Sequence, residues 1–396
     1  MKLKCRPEDF VVRETIDRVP TSGPFALYLL HKSDIGTLEA IQQIRRAWNL
    51  SGRQVSHAGL KDRHARTSQW IVIRNGPKTG LQWDHLQLVY HGQTDRSLDS
   101  GAIRSNHFEI VIRRLTSVAA KTICERIVPG DRPAIPNYFD QQRFGSLGFS
   151  GEFTALACCR RDYERAVWLM LADPNPHDRS EEIQQKQILR DHWGNWAECR
   201  GLLKRSHRRS IVTYLDDHPT GFRRAFALIR PELRGLCLSA FQSAVWNRML
   251  AEYVAEQTKA FSTCSVGDTE LQVGFLSPQL ISTLPDSLPL PSARCRNIAA
   301  ETRALANRAL VPYGLTLPEM KLSFPRDRFF ARGIRHCWIR PDEIRAQSEP
   351  DELYPGFQAV RLEFELPSGC YATLVIKALT AKVNGGDDAG RRPEQL

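Results

Sequence analysis

No stretch of the chain approaches about eighteen consecutive apolar residues, so no membrane-spanning helix is expected. The N-terminus, Met1-Lys-Leu-Lys-Cys-Arg-Pro-Glu-Asp-Phe10, lacks the apolar segment that directs secretion, and no signal peptide is expected. The ten cysteines include no C-x-x-C pair. The two adjacent ones, Cys158 and Cys159, cannot easily bridge each other on a helix, and the others are too scattered for a zinc knuckle. Reduced, mostly buried thiols are the expectation. Walker A, H-E-x-x-H and G-x-S-x-G patterns are absent, as is any metal-ligand cluster, which argues against NTPase, zinc-protease and α/β-hydrolase chemistry. The spacing Gly145-x-x-Gly148-x-x-Gly151 is not a dinucleotide fingerprint, because it lacks the strand–helix context.

What is present is a folded chain of 396 residues, 42% apolar and 25% charged. That length suggests two domains rather than one core. Lys and Arg number 55 against 44 Asp and Glu, a formal charge of +11. Such a surplus favours a polyanionic partner, most commonly nucleic acid, although solubility alone could account for it.

The hydrophobic pattern divides the chain. Residues 6–14, Phe25–Leu30, Trp70–Ile73 and the alternating Phe108, Ile110 and Ile112 read as strands. A helix is expected from Thr37, as N-cap, with Leu38, Ile41, Ile44 and Trp48 on one face. Ser51–Thr67 reads as a loop, Ala119–Val128 as a helix, and Pro129, Gly130, Pro133 and Pro136 mark an irregular stretch. From Gly151 the pattern turns helical, over Glu152–Ala172, Glu181–Cys199 and Leu236–Glu256. A Ser-, Pro- and Gly-rich stretch follows over 262–298, then a short helix over Ala299–Leu310. After 350 strands return: Val360, Leu362, Phe364 and Leu366 alternate, and Pro367-Ser-Gly is read as a turn into a second strand over Tyr371–Lys377. The last fifteen or so residues read as a loose tail. Strand-rich ends around a helical middle fit one domain inserted into another; two domains in series is the alternative.

Three segments carry chemistry. Ser51–Thr67 holds Arg53, Lys61, Arg63 and Arg66, with His57 and His64, and Asp62 as its only acid. A carboxylate among cations stays ionised, which suits a nucleophile better than a general acid; the bland alternative is an Asp that balances surface arginines. Ile135-Pro-Asn-Tyr-Phe-Asp-Gln-Gln-Arg-Phe-Gly145 sets aromatics beside amides, able to stack on a base and read its edge, or simply to pack a loop. In Leu238–Leu250, Leu238, Phe241, Val245 and Met249 share one helical face, as a core helix would. Lys204-Arg-Ser-His-Arg-Arg209 and Arg223-Arg224 are basic clusters that could meet phosphates or only solvent.

In order along the chain, Pro7-Glu-Asp-Phe-Val-Val-x-Glu14, Ala58-Gly-Leu-Lys-Asp62-Arg-His-Ala-x-Thr67, Pro136-Asn-Tyr-Phe-x-x-Gln-Arg-Phe-Gly145, Leu238-Ser-Ala-Phe-Gln-Ser-x-x-x-Asn247 and Leu366-Pro-Ser-Gly-x-Tyr-Ala-Thr373 resemble the motifs of the TruD family of pseudouridine synthases. The resemblance implies an α+β fold: a mixed-sheet catalytic core, interrupted by a mainly helical α/β insertion domain. On this chain it assigns 1–151 and 346–396 to the core and 152–345 to the insertion. It implies Asp62 as the catalytic aspartate, Lys4 as a basic residue near it, and Glu8 and Phe10 as pocket-building neighbours. It further implies Lys61 as a phosphate contact, Asn137 as an active-site amide, Phe139 as the aromatic stacked on the target base, and Tyr371 as lining from the C-terminal hairpin. Asp140 stands where the family usually has Gly; if that position has positive φ, Asp tolerates it better than most residues do, but its negative charge is less welcome near an RNA cleft.

The implied reaction isomerises uridine, at position thirteen in the D-arm of tRNA, to pseudouridine. The C1′–N1 bond breaks and the base rejoins through C5, so no electrons or groups are exchanged and no cofactor or metal is needed. A carboxylate would trap C1′ or assist a glycal route, and residues alone do not choose between these. A cytoplasmic monomer acting on tRNA, with no membrane partner, is the expectation. The rivals are a non-catalytic RNA-binding protein or tRNA chaperone on the same fold, and a glycosidase, which ordinarily needs two carboxylates.

Overall fold

Alternation of apolar and polar side chains builds a long sheet from segments at both ends of the chain. In the computed structural model, residues 1–17, 20–128, 134–257, 262–267, 269–322 and 330–381 are described. The irregular stretch at Pro129, Gly130 and Pro133 and the polar tail after residue 381 lie outside them. The chain forms two compact units, residues 1–135 with 339–396, and residues 136–338. These boundaries differ from those expected at 151/152 and 345/346.

The first unit carries strands β1 (Phe10–Ile16), β2 (Phe25–Ser33), β3 (Val55–His57), β4 (Arg66–Arg74), β5 (Leu81–Trp83), β6 (Leu86–Thr94), β7 (Ile103–Leu115), β8 (Asp342–Pro350) and β9 (Gln358–Pro367). Among the described residues these make one nine-stranded sheet in the order β8, β9, β7, β1, β4, β2, β6, β5, with β3 on β4. β1 and β4 run parallel, pairing Val11 with Arg66 and Arg13 with Ser68, while the other pairs are antiparallel, so the sheet is mixed and the fold α+β. β1 and β3 share one edge of β4: β1 takes residues 66–68 and β3 takes 71–73. The chain from 58 to 65 is thus the connection between β3 and β4, delivered to the end of the parallel pair.

Helix α1 (Thr37–Ala47) covers part of one sheet face. Its buried stripe is Thr37, Ala40, Ile41 and Ile44, spaced i, i+3, i+4, i+7. Because Thr37 occupies the first slot of that stripe, Leu38 turns outward, contrary to expectation, and Gly36 rather than Thr37 is the N-cap. Trp48, at the C-cap, packs on Tyr28 with ring centroids 5.5 Å apart. Helix α2 (Ser117–Glu125) starts from Thr116, whose hydroxyl accepts the Ala119 N–H.

The expected C-terminal hairpin is a strand, a turn and a helix. After β9 the chain turns at Ser368–Gly369 and forms α3 (Ala372–Thr380), burying Ala372, Leu374, Val375, Ile376, Ala378 and Leu379. A short apolar run does not distinguish strand from helix. Here the sheet decides: β9 already pairs with β8 on one edge and β7 on the other, leaving no edge for a returning strand.

The second unit is mainly helical. The single helix expected over Glu152–Ala172 is two, Thr154–Cys159 and Tyr163–Leu171, parted by Arg161 in a left-handed conformation (φ 63°) and restarted by the Asp162 carboxylate on the Arg165 N–H. Likewise Glu181–Cys199 is divided at Gly194 (φ 92°), and Asn195 caps the second piece. Further helices occupy His207–Asp217 and Phe222–Leu228, and the set shares a core that includes Val167, Leu189, Trp196, Val212 and Phe226. The long helix Pro231–Gln257 is buried on every side from Ala240 to Asn247, not on one face, so Gln242, Ser243 and Asn247 go inside with Phe241 and Trp246. Short ribbons, such as Ser262–Val266 with Thr269–Val273, and the helix Ala300–Leu310 complete the unit.

All ten cysteines are free thiols, four buried and six half-buried. Burial pushes the Cys237 thiol up to about 11, as suits an unreactive packing residue. Among the described residues no helix is long and apolar enough to cross a membrane, and no group of three or more His, Cys, Asp or Glu could hold a metal ion.

Candidate active site

Asp62 lies in the β3–β4 connection with its side chain 35% exposed. The cations of its own segment are drawn off by acids from elsewhere. Lys61 pairs with the buried Glu14 carboxylate at 2.9 Å, Arg63 with Glu39 at 2.5 Å, His64 meets Asp34 at 3.0 Å, and Arg66 pairs with Glu8 at 2.5 Å. The Asp62 carboxylate is met by a residue from the segment before β1: Lys4 Nζ lies 2.6 Å from Oδ2. Among the described residues Oδ1 has no partner.

Lys4 is held in place rather than left on a flexible arm. Its ammonium also sits 4.3 Å from the centroid of the Phe10 ring, a favourable cation–π distance. The Phe10 ring is buried, edge-on to Phe108, which stacks on Phe364 at 5.5 Å, so the aromatic column is rooted in β1, β7 and β9. Lys4 has φ 52°, a left-handed backbone that costs a non-glycine residue about 1–2 kcal/mol and persists only where its surroundings impose it. Lys2 supplies one constraint, exchanging backbone hydrogen bonds with Arg113 at 2.8 and 2.9 Å. Asp9 supplies another: its buried carboxylate takes two hydrogen bonds from the Arg113 guanidinium, at 2.9 and 2.7 Å.

The motif Pro7–Glu14 therefore divides its three acids. Asp9 and Glu14 anchor buried cations, while Glu8 is half-exposed and paired with Arg66. Lys61 is directed at Glu14 and also hydrogen-bonds Asn106 of β7. Tyr371 is half-buried at the start of α3, the consequence of the helix replacing the hairpin.

The hydrophobic pattern gave no hint of Lys32. It is the penultimate residue of β2, is 3% exposed, and donates to the carbonyls of Ile35 at 2.8 Å and Asp62 at 2.7 Å. Burial pushes its ammonium down to about 8, against the opposing pull of Asp62, with Lys61 and Arg63 adding to the fall. The only sequence signal was a lysine in an otherwise apolar strand.

In the second unit, Asn137 and Phe139 are buried, Phe139 to 6%. The Asn247 side chain pairs with the Phe139 peptide as a neighbouring strand would: Oδ1 accepts its N–H and Nδ2 donates to its carbonyl, both at 2.8 Å. Trp246 meets the Phe139 ring edge-on at 5.6 Å. Arg335, which no local pattern singled out, donates to Asn137 Oδ1 at 2.7 Å, Asn137 O at 3.0 Å and Tyr138 O at 3.2 Å, and its guanidinium lies 4.0 Å from the Phe139 ring centroid. Asp140 has φ −92°, ordinary for any side chain, and its carboxylate accepts the Gln141 N–H at 2.8 Å, so this position needs no glycine.

Asn247→Leu is expected to lower stability by about 2–4 kcal/mol, since it leaves two buried peptide groups unpaired at roughly 1–3 kcal/mol each. Urea unfolding of the full chain measures it, and a loss under about 1 kcal/mol would show that water or a shifted backbone replaces the amide.

A partly exposed carboxylate, clamped on one oxygen and open on the other, has the form of an enzyme's carboxylate nucleophile. Comparison with known proteins makes the class specific. The family described as tRNA pseudouridine synthase D (TruD) matches residues 1–278. A Leptospira interrogans protein named tRNA pseudouridine synthase D is 30% identical over 394 residues, covering 95% of each chain. A Methanococcus maripaludis protein named "Probable tRNA pseudouridine synthase D 1" is 29% identical over 393 residues, covering 95% of this chain and 98% of its own. The crystal structure of a Methanosarcina mazei protein assigned to tRNA pseudouridine synthase D superposes with a TM-score of 0.69 over 95% of this chain and 92% of its own; at 22% identity that likeness bears on the fold. The chain belongs to the tRNA pseudouridine synthase D (TruD) family.

Proposed function

We propose that the chain isomerises uridine to pseudouridine in tRNA, at position thirteen of the D-arm, with Asp62 as the nucleophile. The observation that carries this reading is the Lys4–Asp62 pair at 2.6 Å, held by a lysine in a strained backbone conformation. Strain of that kind concentrates at functional sites. Lys4 aims the carboxylate through Oδ2, leaving Oδ1 to approach C1′ of the sugar. The formal charge of +11 suits a polyanionic substrate. Residues 1–151 with 346–396, which hold Asp62, act as the catalytic domain, and residues 152–345 as the family's insertion. The enzyme works as a cytoplasmic monomer.

Phe139 stacks on the uracil once it leaves the helical stack, with Asn137 beside it as the amide that meets the base. In the first unit Glu8, Phe10 and Tyr371 act as substrate-binding residues, and Lys61 as a contact to the substrate backbone. Phe139→Leu keeps an apolar side chain but loses the ring; it is expected to slow single-turnover isomerisation roughly 5- to 150-fold, the equivalent of about 1–3 kcal/mol of stacking. Phe139→Tyr should stay within that range of the wild type.

The test is incubation of the purified protein with unmodified tRNA, followed by carbodiimide mapping of pseudouridine. Modification at the D-arm uridine is expected. An abasic site would make the protein an N-glycosidase, and untouched uridine with tight binding would make it a binding protein.

A further inference from the structure

Lys32 is a buried cation for which the proposed reaction has no use. It stands on β2, opposite Thr67 of β4 and Leu86 of β6. An apolar residue there would continue the buried run of the strand. Instead its ammonium reaches three backbone carbonyls, of Ile35 at 2.8 Å, Asp62 at 2.7 Å and Lys61 at 3.4 Å. An ammonium has three donors and no acceptor, so three carbonyls satisfy it completely. Burying an ammonium against carbonyls alone is unfavourable compared with a packed aliphatic chain, and such a group is informative where it occurs.

The carbonyls it gathers are not scattered. Two belong to the nucleophile and the residue before it, and the third lies at the entrance to α1. The preceding peptide is held as well: Thr37 Oγ1 accepts the Lys61 N–H at 3.0 Å and donates to Gln69 Oε1 of β4 at 2.7 Å. Among the described residues the Asp62 side chain has only Lys4 to orient it, so its direction depends on its backbone, which Lys32 ties to β2.

We infer that Lys32 is a positioning residue for the reaction: by hydrogen-bonding the carbonyls of Lys61 and Asp62, it sets the backbone from which the nucleophilic carboxylate is aimed. The inference rests on the reading of Asp62 as the nucleophile. A displacement of the order of 1 Å at a reacting group can lower a rate about 100-fold without weakening binding.

The experiment compares Lys32→Met and Lys32→Gln with the wild type in multiple-turnover and single-turnover assays on tRNA, with thermal unfolding of each. Lys32→Met keeps the stem and removes every donor; Lys32→Gln keeps two N–H donors without the charge. The expected result is a folded Met variant with kcat lower by about 100-fold and KM unchanged, and a Gln variant that recovers part of kcat. A Met variant with wild-type kcat overturns the inference. So does one whose loss lies wholly in KM, and so does failure of both variants to fold, which would make Lys32 a folding residue only. Asp62→Asn run alongside separates the two ideas. Turnover in Asp62→Asn removes the nucleophile reading itself; an inert Asp62→Asn beside a fully active Lys32→Met removes only the role given to Lys32.

Discussion

Asp62→Asn is expected to form no detectable pseudouridine, a loss of roughly 10⁴-fold or more, the scale on which removal of a covalent nucleophile acts. The substitution is nearly isosteric at a side chain that is 35% exposed, so the fold should tolerate it. It removes a negative charge from a chain of formal charge +11, so tRNA affinity should not fall. Lys4 would lose its carboxylate partner, but Phe10 remains beneath its ammonium. The measurement is pseudouridine mapping over long incubation, paired with filter binding of the same tRNA. Turnover within about 100-fold of the wild type would assign the chemistry to another group. Loss of binding in step with loss of turnover would make Asp62 a substrate contact rather than the nucleophile.

Arg113→Met is expected to destabilise the protein by about 3–5 kcal/mol, the usual consequence of stripping a buried ion network of its shared partner. The Arg113 guanidinium is almost wholly enclosed, bonded to Asp9 at 2.7 Å, Asp351 at 3.0 Å and the more exposed Glu352 at 3.2 Å. Its removal strips the buried Asp351 of its cation and leaves Asp9 with the more distant Arg6, at 3.5 Å. The hydrogen bonds that the guanidinium donates to Asp9 and Asp351 outweigh its burial and hold it firmly protonated. At Asp351 burial works to raise the carboxyl, but the N–H groups of Arg114 and Leu353, with Arg113, outweigh it and hold the carboxyl below its ordinary range. A depressed carboxyl contributes stability that is whole above the ordinary carboxylate range and is lost as pH falls through the depressed value. Urea unfolding at neutral pH should show the full difference between variant and wild type, and the gap should narrow in acid. Since Asp9 also fixes the segment that presents Lys4, the folded fraction of the variant should be less active as well. A difference below about 1 kcal/mol would mean that the network is no more valuable than exposed ion pairs.

The two substitutions also mark where local pattern was and was not a guide. Asp62 was conspicuous because it was the one acid in a cationic segment, but the cations that made it so are engaged with Glu14, Glu39, Asp34 and Glu8. Its partner, Lys4, comes from 58 residues away. Proximity in the chain was therefore a poor guide to electrostatics, because the β3–β4 connection turns each side chain toward a different strand or helix. The helix boundaries missed at Arg161 and Gly194 depended on single backbone conformations and capping side chains, which the apolar period does not register. The segment after Gly369 was apolar enough for either helix or strand, and the occupied edges of β9 settled it.

Legible in the sequence alone were the α+β class, the strand-rich ends around a helical middle, a long helix expected over Leu236–Glu256 and found over Pro231–Gln257, and the family, through five motifs in order. These depend on periodicity and on short runs of residue types, which are local properties. The resemblance implied that Lys4 lies near Asp62, but only the tertiary structure decided that Lys4 bonds Oδ2 alone, that Lys32 holds the Asp62 backbone, that Asn247 and Arg335 fix Asn137 and Phe139, and that Asp9 and Asp351 meet on Arg113. Each of those contacts joins residues distant in sequence. Each depends on strand register and helix placement, which the hydrophobic pattern of any one segment does not specify.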